Sequence, residues 1–258
     1  MLIFLVSLCM VQQGFAQKNS DTLHHASRGA AADDPSEFLS RVELFNENLH
    51  FDDFTFNQTT LRVNFKLGKR FTTRADIPYV YNSGNAEKGY ASSGLGDISF
   101  RLLGYKIVQA PRTALTASVE FSLNTAEAPW LGTGKNIIIP MLTYSWVLTP
   151  RRTTFSLLVM QSNSFSGDTS RKKVSYTKLQ PMMIRIWNRK LWTVVAPEFY
   201  LDYVEHGASM NIEVRTAYAP GSRVNAWLQL GAGVFGDFIA RYQWSVEAGC
   251  RYFLFRKH

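Results

Sequence analysis

The feature that most constrains the fold is a strict alternation of apolar and polar residues that recurs along the chain. In "LRVNFKL" (61–67), four apolar residues alternate with Arg62, Asn64 and Lys66. Successive side chains of a β-strand point to opposite faces of a sheet, so this segment predicts a strand with one apolar and one polar face. The same alternation appears in "LTASVEFSL" (115–123), "MNIEVR" (210–215), "VNAWLQL" (224–230) and "YQWSVEAGCRYFLF" (242–255).

Tight polar turns and longer connections alternate between these segments. The tight turns, each with an Arg or Lys, are "GKR" (68–70), "QAPR" (109–112), "TPRR" (149–152), "NRK" (188–190) and "PGSR" (220–223). The longer connections lie at 51–58, 82–94, 125–135, 164–173 and 204–209, and a short sixth lies near 235–238. Short turns on one side and long loops on the other are typical of an outer-membrane β-barrel with its short side in the periplasm.

The pattern therefore predicts an all-β, transmembrane, antiparallel up-and-down barrel of about 12 strands, with the count good to within two. The strands are expected near 41–49, 59–67, 71–81, 95–107, 113–124, 136–148, 153–163, 174–187, 191–203, 210–219, 224–234 and 239–255. A soluble sandwich would alternate too, but this many strands exceed one two-layer sandwich. A membrane-spanning helix is not expected, because the longest later apolar stretch (136–148) is short and contains Pro140.

The N-terminal region differs from the rest. The apolar run "LIFLVSLCMV" followed by "GFA" is typical of a signal peptide cleaved after residue 16, although no Lys or Arg precedes the run. The alternative is a buried N-terminal strand. Residues 17–40 are polar and are expected to form a periplasmic tail, with a short helix capped by Asp34 and with Pro35 at its first position. The alternative to this helix is an irregular lead-in to the first strand. Residues 41–258 are expected to form the barrel.

Composition restricts the partners. Without the leader, only Cys250 remains, and no Cys/His pair has zinc-ligand spacing, so we expect neither a disulfide framework, nor a metal, nor a cofactor. The net charge of +8 comes from scattered basic residues. This distribution does not predict nucleic-acid binding and instead suits contact with anionic lipid headgroups, including outer-membrane lipid and lipopolysaccharide.

A channel needs a polar interior, and strand parity assigns candidate lumen residues of both charge signs. They could form a selectivity filter, or they could simply neutralise one another in a narrow barrel. Twelve strands lie between filled eight-stranded barrels and wide sixteen-stranded ones, so passage is expected to be narrow or gated. The candidates are Arg62, Asn64, Lys66, Arg74, Asp76, Arg101, Glu120, Asn211, Glu213, Arg215, Gln229, Glu247 and Arg251.

Five loop residues are candidates for ligand contact at the long-loop side: Phe54, Phe56, Tyr90, Trp130 and Lys135. The aromatic ones could instead belong to a girdle at the headgroup level. The stretch "WLGTGKNIII" (130–139) ends like a phosphate-binding loop, but Pro129 and Asn136 break that motif, and a strand pattern follows in place of a helix. Lys135 is expected at the mouth, where it could attract anions.

No catalytic residue is predicted. Outer-membrane lipid hydrolases need a Ser–His pair on adjacent strands, whereas His24, His25 and His258 lie in the termini and His50 and His206 lie at loop edges. A structural or adhesive barrel with a closed lumen is a further alternative.

Four motifs carry a family resemblance: "SSGLGDISFRLLGY" (92–105), "LGTGK" (131–135), "SFSGD" (164–168) with "LQP" (179–181), and "VNAWLQLGAG" (224–233). In this order they resemble the Gram-negative barrel family named for the MetA pathway of phenol degradation and labelled "transporter". The resemblance implies an outer-membrane channel for small, often hydrophobic or aromatic compounds. Two departures, "LNTAEAPW" (123–130) and the short loop at 204–209, leave the substrate open.

The last strand carries its own signal. "EAGCRYFL" (247–254) resembles the β-signal that the barrel-assembly machinery reads, and the alternative is an ordinary amphipathic strand. The sequence thus predicts two further partners: the assembly machinery and a small-molecule substrate.

Overall fold

A computed structural model describes residues 28–84, 92–150, 152–236 and 242–254. Among these residues, one short helix, α1 (Arg28–Asp33), precedes the strands. The strands are β1 (Arg41–His50), β2 (Phe54–Leu67), β3 (Phe71–Gly84), β4 (Ser92–Leu95), β5 (Ser99–Gln109), β6 (Thr113–Ser122), β7 (Lys135–Thr149), β8 (Thr153–Gly167), β9 (Ser175–Ile186), β10 (Leu191–Asp202), β11 (Gly207–Tyr218), β12 (Val224–Phe235) and β13 (Trp244–Phe253).

The sheet closes on itself. Apart from β4 and β5, each strand pairs antiparallel with the next along the chain, and β1 pairs with both β2 and β13. Both β4 and β5 pair with β3, so they are two halves of one strand of the wall, interrupted at residues 96–98. The wall therefore has twelve strands, which confirms the predicted fold. We call the two ends of the barrel the tight-turn end, where β1 begins and β13 ends, and the long-loop end.

Within the described ranges, no helix has the length and apolar character needed to cross a membrane.

The strands place their apolar side chains outward, as β12 shows. Val224, Leu228 and Leu230 are exposed, whereas the alternating Asn225 and Gln229 are buried. A water-soluble barrel would bury the apolar set. The reversed arrangement suits a wall that faces lipid outside and a polar lumen inside, with every backbone group paired within the sheet.

The N-terminal segment occupies the lumen, and its helix lies elsewhere than predicted. A helix capped by Asp34 is wrong: α1 ends at Asp33, and Ser36 donates to the Asp34 carboxylate from both its backbone N–H and its hydroxyl (2.9 and 2.8 Å). Pro35 thus follows the helix and occupies a turn. We call residues 28–40 the plug, because Ala30, Asp33, Asp34 and Glu37 bind the inner wall of the tight-turn half through their side chains.

An apolar seat on β9–β12 holds α1. Ala30 packs there with Trp192, Ala217 and Trp227, all of them buried. The approach is close, because a Cβ on Gly29 would lie 2.3 Å from the Trp192 ring. The small residues of "RGAAAD" therefore let the helix fit against the wall, where a larger side chain would collide.

Candidate functional site

A cavity of about 760 Å³ lies inside the barrel. On the tight-turn side its lining includes plug residues from Ala32 to Phe38, and on the other side it reaches residues 130–133 of the β6–β7 loop (residues 123–134). This volume falls in the range of small-molecule sites, about 300–1,000 Å³.

Most of the predicted lumen residues lie along this cavity. Glu213 and Gln229 instead border, together with Arg215, a second cavity of about 70 Å³ beside Asp33. Asn211 is fully buried, and Lys66 is exposed near the tight turn. The residues along the large cavity are Arg62, Asn64, Arg74, Asp76, Arg101, Glu120, Arg215, Glu247 and Arg251.

A lattice of ion pairs covers the cavity wall on β2, β3, β5 and β6. The guanidinium of Arg62 donates two hydrogen bonds to the Asp76 carboxylate, of 2.9 and 2.8 Å. Arg74 donates to Glu120, and Arg101 lies 3.5 Å from the same carboxylate. This arrangement favours the interpretation that most lumen charges neutralise one another, with Arg101 held less closely than the others.

The lattice continues across β1, β11 and β13. Glu43 lies between Arg41 and Arg251, at 2.7 and 3.0 Å. Arg215 donates to Glu247 at 2.9 Å. Bidentate and shared guanidinium–carboxylate contacts of this kind are short and directional, so they fix the side chains in the lumen.

The wall on β9–β11 carries a different group of side chains. Lys178 donates to Glu198, and Gln180 and Tyr200 donate to the same carboxylate, each at 2.7 Å. Tyr242 donates to Glu213 at 3.1 Å. The lumen thus has an arginine-rich sector on β2–β5 and a sector of carboxylates and tyrosines on β9–β11.

Asp33 at the end of α1 is the main polar contact of the plug. Its buried carboxylate accepts hydrogen bonds from Arg251 at 2.8 Å and Arg215 at 3.1 Å, and from the Trp192 indole. Burial by itself raises the pKa of Asp33, but Arg251 and Arg215 outweigh it and hold the pKa below the ordinary value of 3.8. The charged form of Asp33 therefore stabilises the docked plug.

The next part of the plug crosses to the opposite wall. Ser145 donates to the Asp34 carboxylate at 2.7 Å, and Glu37 lies 3.4 Å from the buried ammonium of Lys106. Burial raises the pKa of Asp34, although hydrogen bonds from Ser36 and Ser145 oppose the shift. The plug therefore contacts several sides of the lumen before it enters β1.

The β6–β7 loop is held by Asp97, the aspartate of "GLGD". Its carboxylate accepts hydrogen bonds from the backbone N–H of Thr125 and Ala126 at 3.2 Å. It also accepts from Thr133, through the backbone N–H at 2.7 Å and through the hydroxyl at 2.9 Å. The break in the wall strand at 96–98 is thus the point where a carboxylate binds the neighbouring loop.

The motif "LGTGK" is built around this contact. A Cβ on Gly132 would lie 2.5 Å from the Asp97 carboxylate, and Gly134 has a φ of 71°, so a side chain is excluded at one position and strained at the other. Lys135 donates to the carbonyl of Asp168, the last residue of "SFSGD". The motifs that suggested a family thus bind three segments of the long-loop end together.

The five candidate loop residues lie in different surroundings. Phe56 and Trp130 line the cavity, and the Arg171 guanidinium lies 5.4 Å from the Trp130 ring. Trp130 therefore borders the cavity at its long-loop end. Phe54 stacks on Phe51 at 4.6 Å. Lys135 is buried in its contact with Asp168, and Tyr90 lies outside the described residues.

Of the histidines, His50 belongs to the wall of the long-loop end. It contacts the Thr55 hydroxyl at 3.2 Å and stacks on Trp244 at 5.0 Å. His206 lies in the β10–β11 turn with a φ of 57°. His24, His25 and His258 lie outside the described residues.

Sequence reasoning missed several lumen residues. Glu43 alternates in register with Arg41 and Glu47 in "RVELFNENL", so the period of two could have placed its side chain in the lumen. Lys178 and Glu198 lie in strands with apolar residues on both faces, which hid their direction. Asp33 lies before the first strand, where no periodicity indicates that it would enter the barrel.

The fold and the polar lumen define a class of protein: closed antiparallel β-barrels with an apolar outer face and a polar interior. No family model matches the sequence, and no curated protein is similar to it. Among solved structures, the COG4313 outer membrane channel from Pseudomonas putida F1 is similar, with a TM-score of 0.70 and 14% identity over 84% of this chain and 96% of that one.

Two porin structures are also similar. The NanC porin has a TM-score of 0.62 and 10% identity, covering 83% of this chain and 100% of that one. The KdgM porin in complex with disordered oligogalacturonate has a TM-score of 0.60 and 10% identity, covering 84% and 99%. At these identities, what the chain shares with them is the fold.

Proposed function

We propose that the protein is an outer-membrane channel for the passive uptake or export of small molecules, with its tight-turn end in the periplasm. The observation that carries the proposal is the cavity of about 760 Å³, which extends inside the barrel from the plug to the β6–β7 loop. Similarity to three outer-membrane channel and porin structures supports it.

The chemistry of the lining suits passage of solutes. Charged side chains on the cavity wall pair with one another, as in the contacts of Arg62 with Asp76 and of Arg215 with Glu247. A lining of this kind stays hydrated and offers polar contacts to a solute, whereas the outer face stays apolar for the lipid.

The plug acts as the gate of this channel. Asp33, Asp34 and Glu37 bind the wall through side-chain contacts. Contacts of this kind can break one by one without opening the barrel sheet. Outward movement of residues 28–38 would join the cavity to the periplasmic side.

The finer parts of the proposal rest on the sequence motifs. They include membership of the family named for the MetA pathway and transport of hydrophobic or aromatic compounds. They also include a signal peptide over residues 1–16 and recognition of residues 247–254 by the barrel-assembly machinery. The alternatives are a closed structural or adhesive barrel and a lipid hydrolase.

Planar-bilayer recording of the refolded protein tests the channel directly. We expect discrete single-channel steps from protein that shows heat-modifiable migration on a gel, which reports a folded barrel. Folded protein that gives no steps would contradict the channel and favour a closed barrel. Folded protein that gives no steps and hydrolyses phospholipid in a parallel assay would favour the hydrolase.

A further inference from the structure

The arginine-rich sector of the cavity has more guanidinium groups than it has carboxylates to pair with. Three arginines of β2, β3 and β5 face it, namely Arg62, Arg74 and Arg101, and two carboxylates lie among them, Asp76 and Glu120. Arg62 takes both oxygens of Asp76. Arg74 pairs with Glu120 and also lies 3.4 Å from Asp76, whereas the ion pair of Arg101 in the described residues is with Glu120.

Arg101 is the group left short of partners. Its contact with Glu120 is 3.5 Å long, and its side chain is only 16% exposed. Its Nε is buried and, within the described part of the chain, has no hydrogen-bond partner. A buried N–H without an acceptor is costly, especially on a charged group, so a site of this kind is completed by an anion that accepts from it.

Apolar side chains line the same cavity. Ile139 of β7 is the register partner of Glu120, and Leu158 lies on the neighbouring strand β8. Pro78 and Leu131 line the cavity as well, close to the β6–β7 loop. A molecule whose anionic end met Arg101 would therefore have apolar surface beside its body.

We propose that this cavity binds small amphipathic carboxylates, with the carboxylate on Arg101 and the apolar body against Ile139 and Leu158. The inference rests on the proposed channel function and names the substrate class of the same lumen. The acceptor oxygens of a carboxylate match the planar donors of a guanidinium. Cations are disfavoured beside Arg101 because Arg74 and Arg101 share the carboxylate of Glu120 there, and fully polar anions leave the apolar wall unused.

Equilibrium binding of sodium benzoate to the refolded protein in detergent is the test, measured by calorimetry at fixed ionic strength. We expect saturable binding of benzoate, at least about tenfold weaker binding of acetate, and no saturable binding of benzyl alcohol or benzylamine. Equal affinity for benzoate and acetate would overturn the apolar half of the proposal. Saturable binding of benzylamine would overturn the anionic half.

Two matched variants locate the site. Arg101→Gln is expected to weaken benzoate binding by about tenfold or more, because it removes a charge-assisted contact. Arg185→Gln removes the same charge from a position whose guanidinium lies 5.6 Å from the Trp187 ring, outside the cavity lining, and should leave the affinity unchanged. Unchanged binding in Arg101→Gln, with heat-modifiable migration intact, would overturn the proposal.

A third variant tests the apolar wall, and the design separates binding from transport. Leu158→Ala should weaken benzoate binding several-fold and leave acetate unaffected. An equal loss for both ligands would contradict contact with the apolar body. Calorimetry measures binding without any need for conduction, so the two proposals can fail separately. A protein that binds benzoate but shows no current would refute the channel alone. A conducting protein that does not bind benzoate would refute the ligand alone.

Discussion

The two ends of the lumen are filled by different means. At the tight-turn end, the plug is held mainly by side chains, with Asp33 bound to Arg215 and Arg251 and with α1 seated on Trp192. At the long-loop end, the β6–β7 loop belongs to the wall itself, and backbone N–H groups bind the carboxylate of Asp97.

This difference assigns the roles of the two ends. The loop is fixed at both ends by β6 and β7, and Asp97 binds it near each of these ends, so moving it would disturb the sheet. The plug is joined to the barrel covalently at Ser40, and its contacts are ion pairs, hydrogen bonds and apolar packing. In the proposed channel the plug is therefore the element expected to move, and the loop is expected to set a constant entrance.

Deletion of residues 28–38 should have the largest effect. Removing the plug leaves the strands intact and opens the tight-turn half of the lumen, so single-channel conductance is expected to rise several-fold. Planar-bilayer recording measures it, and heat-modifiable migration verifies the barrel. A folded deletion variant with wild-type conductance would show that the plug does not limit passage.

Gly29→Leu should have a smaller effect of the same sign. The side chain would collide with the Trp192 ring, lift α1 from its seat and raise the fraction of time spent in the open state. Gly221→Leu is the matched control, because a Cβ there meets nothing within 4 Å. If both variants conduct like the wild type, the close approach of α1 does not hold the gate.

Acidification should loosen the plug through Asp33. Its folded pKa is lowered, so its stabilising contribution is present above the ordinary value of 3.8 and is lost as the pH falls through the folded pKa. Asp34, whose pKa is raised, contributes in the opposite sense: its stabilisation is full below 3.8 and is lost as the pH rises through its folded pKa. Conductance should therefore stay low from neutral pH down to about 3.8 and rise below it.

The variant Asp33→Asn separates this effect from titration of the wall. It should conduct more than the wild type at neutral pH and should lack the acid step. If the rise in conductance at low pH persists in Asp33→Asn, the rise comes from other carboxylates.

Asp97→Asn should change stability at the long-loop end without opening the channel. The amide keeps one acceptor and loses the charge, and hydrogen bonds to a charged group contribute about 1.5–3 kcal/mol each. We expect a lower urea midpoint and faster proteolysis in residues 123–134, with conductance close to that of the wild type. Thr133→Val, which removes one hydroxyl bond to Asp97, should lower the midpoint less. A conductance rise as large as that of the plug deletion would reverse the roles of the two ends.

The two ends also differ in how far the sequence predicts them. Period-two alternation fixes the face of each side chain, so Arg62, Arg101 and Glu247 could be placed inward without a structure. The plug has no such period. Its insertion depends on a cavity that exists only after twelve strands close, and on partners as distant in sequence as Arg251.

The β6–β7 loop lies between these extremes. Its glycines indicated a turn, and the strand after Lys135 excluded a phosphate loop. The partner that explains Gly132 and Thr133 is Asp97, in the break between β4 and β5, which meets the loop only in the folded wall. Local patterns therefore predict the strands and turns, whereas contacts across the lumen require the closed barrel.

Movement of the plug is tested most directly by locking it. Ser145 reaches the Asp34 carboxylate at 2.7 Å, so Asp34→Cys with Ser145→Cys places two thiols together, and Cys9→Ala with Cys250→Ala removes the two native ones. With the disulfide verified by thiol titration, the oxidised protein should show few openings, and a reducing agent should restore the conductance of the single Asp34→Cys variant. Identical conductance before and after reduction would contradict a moving plug.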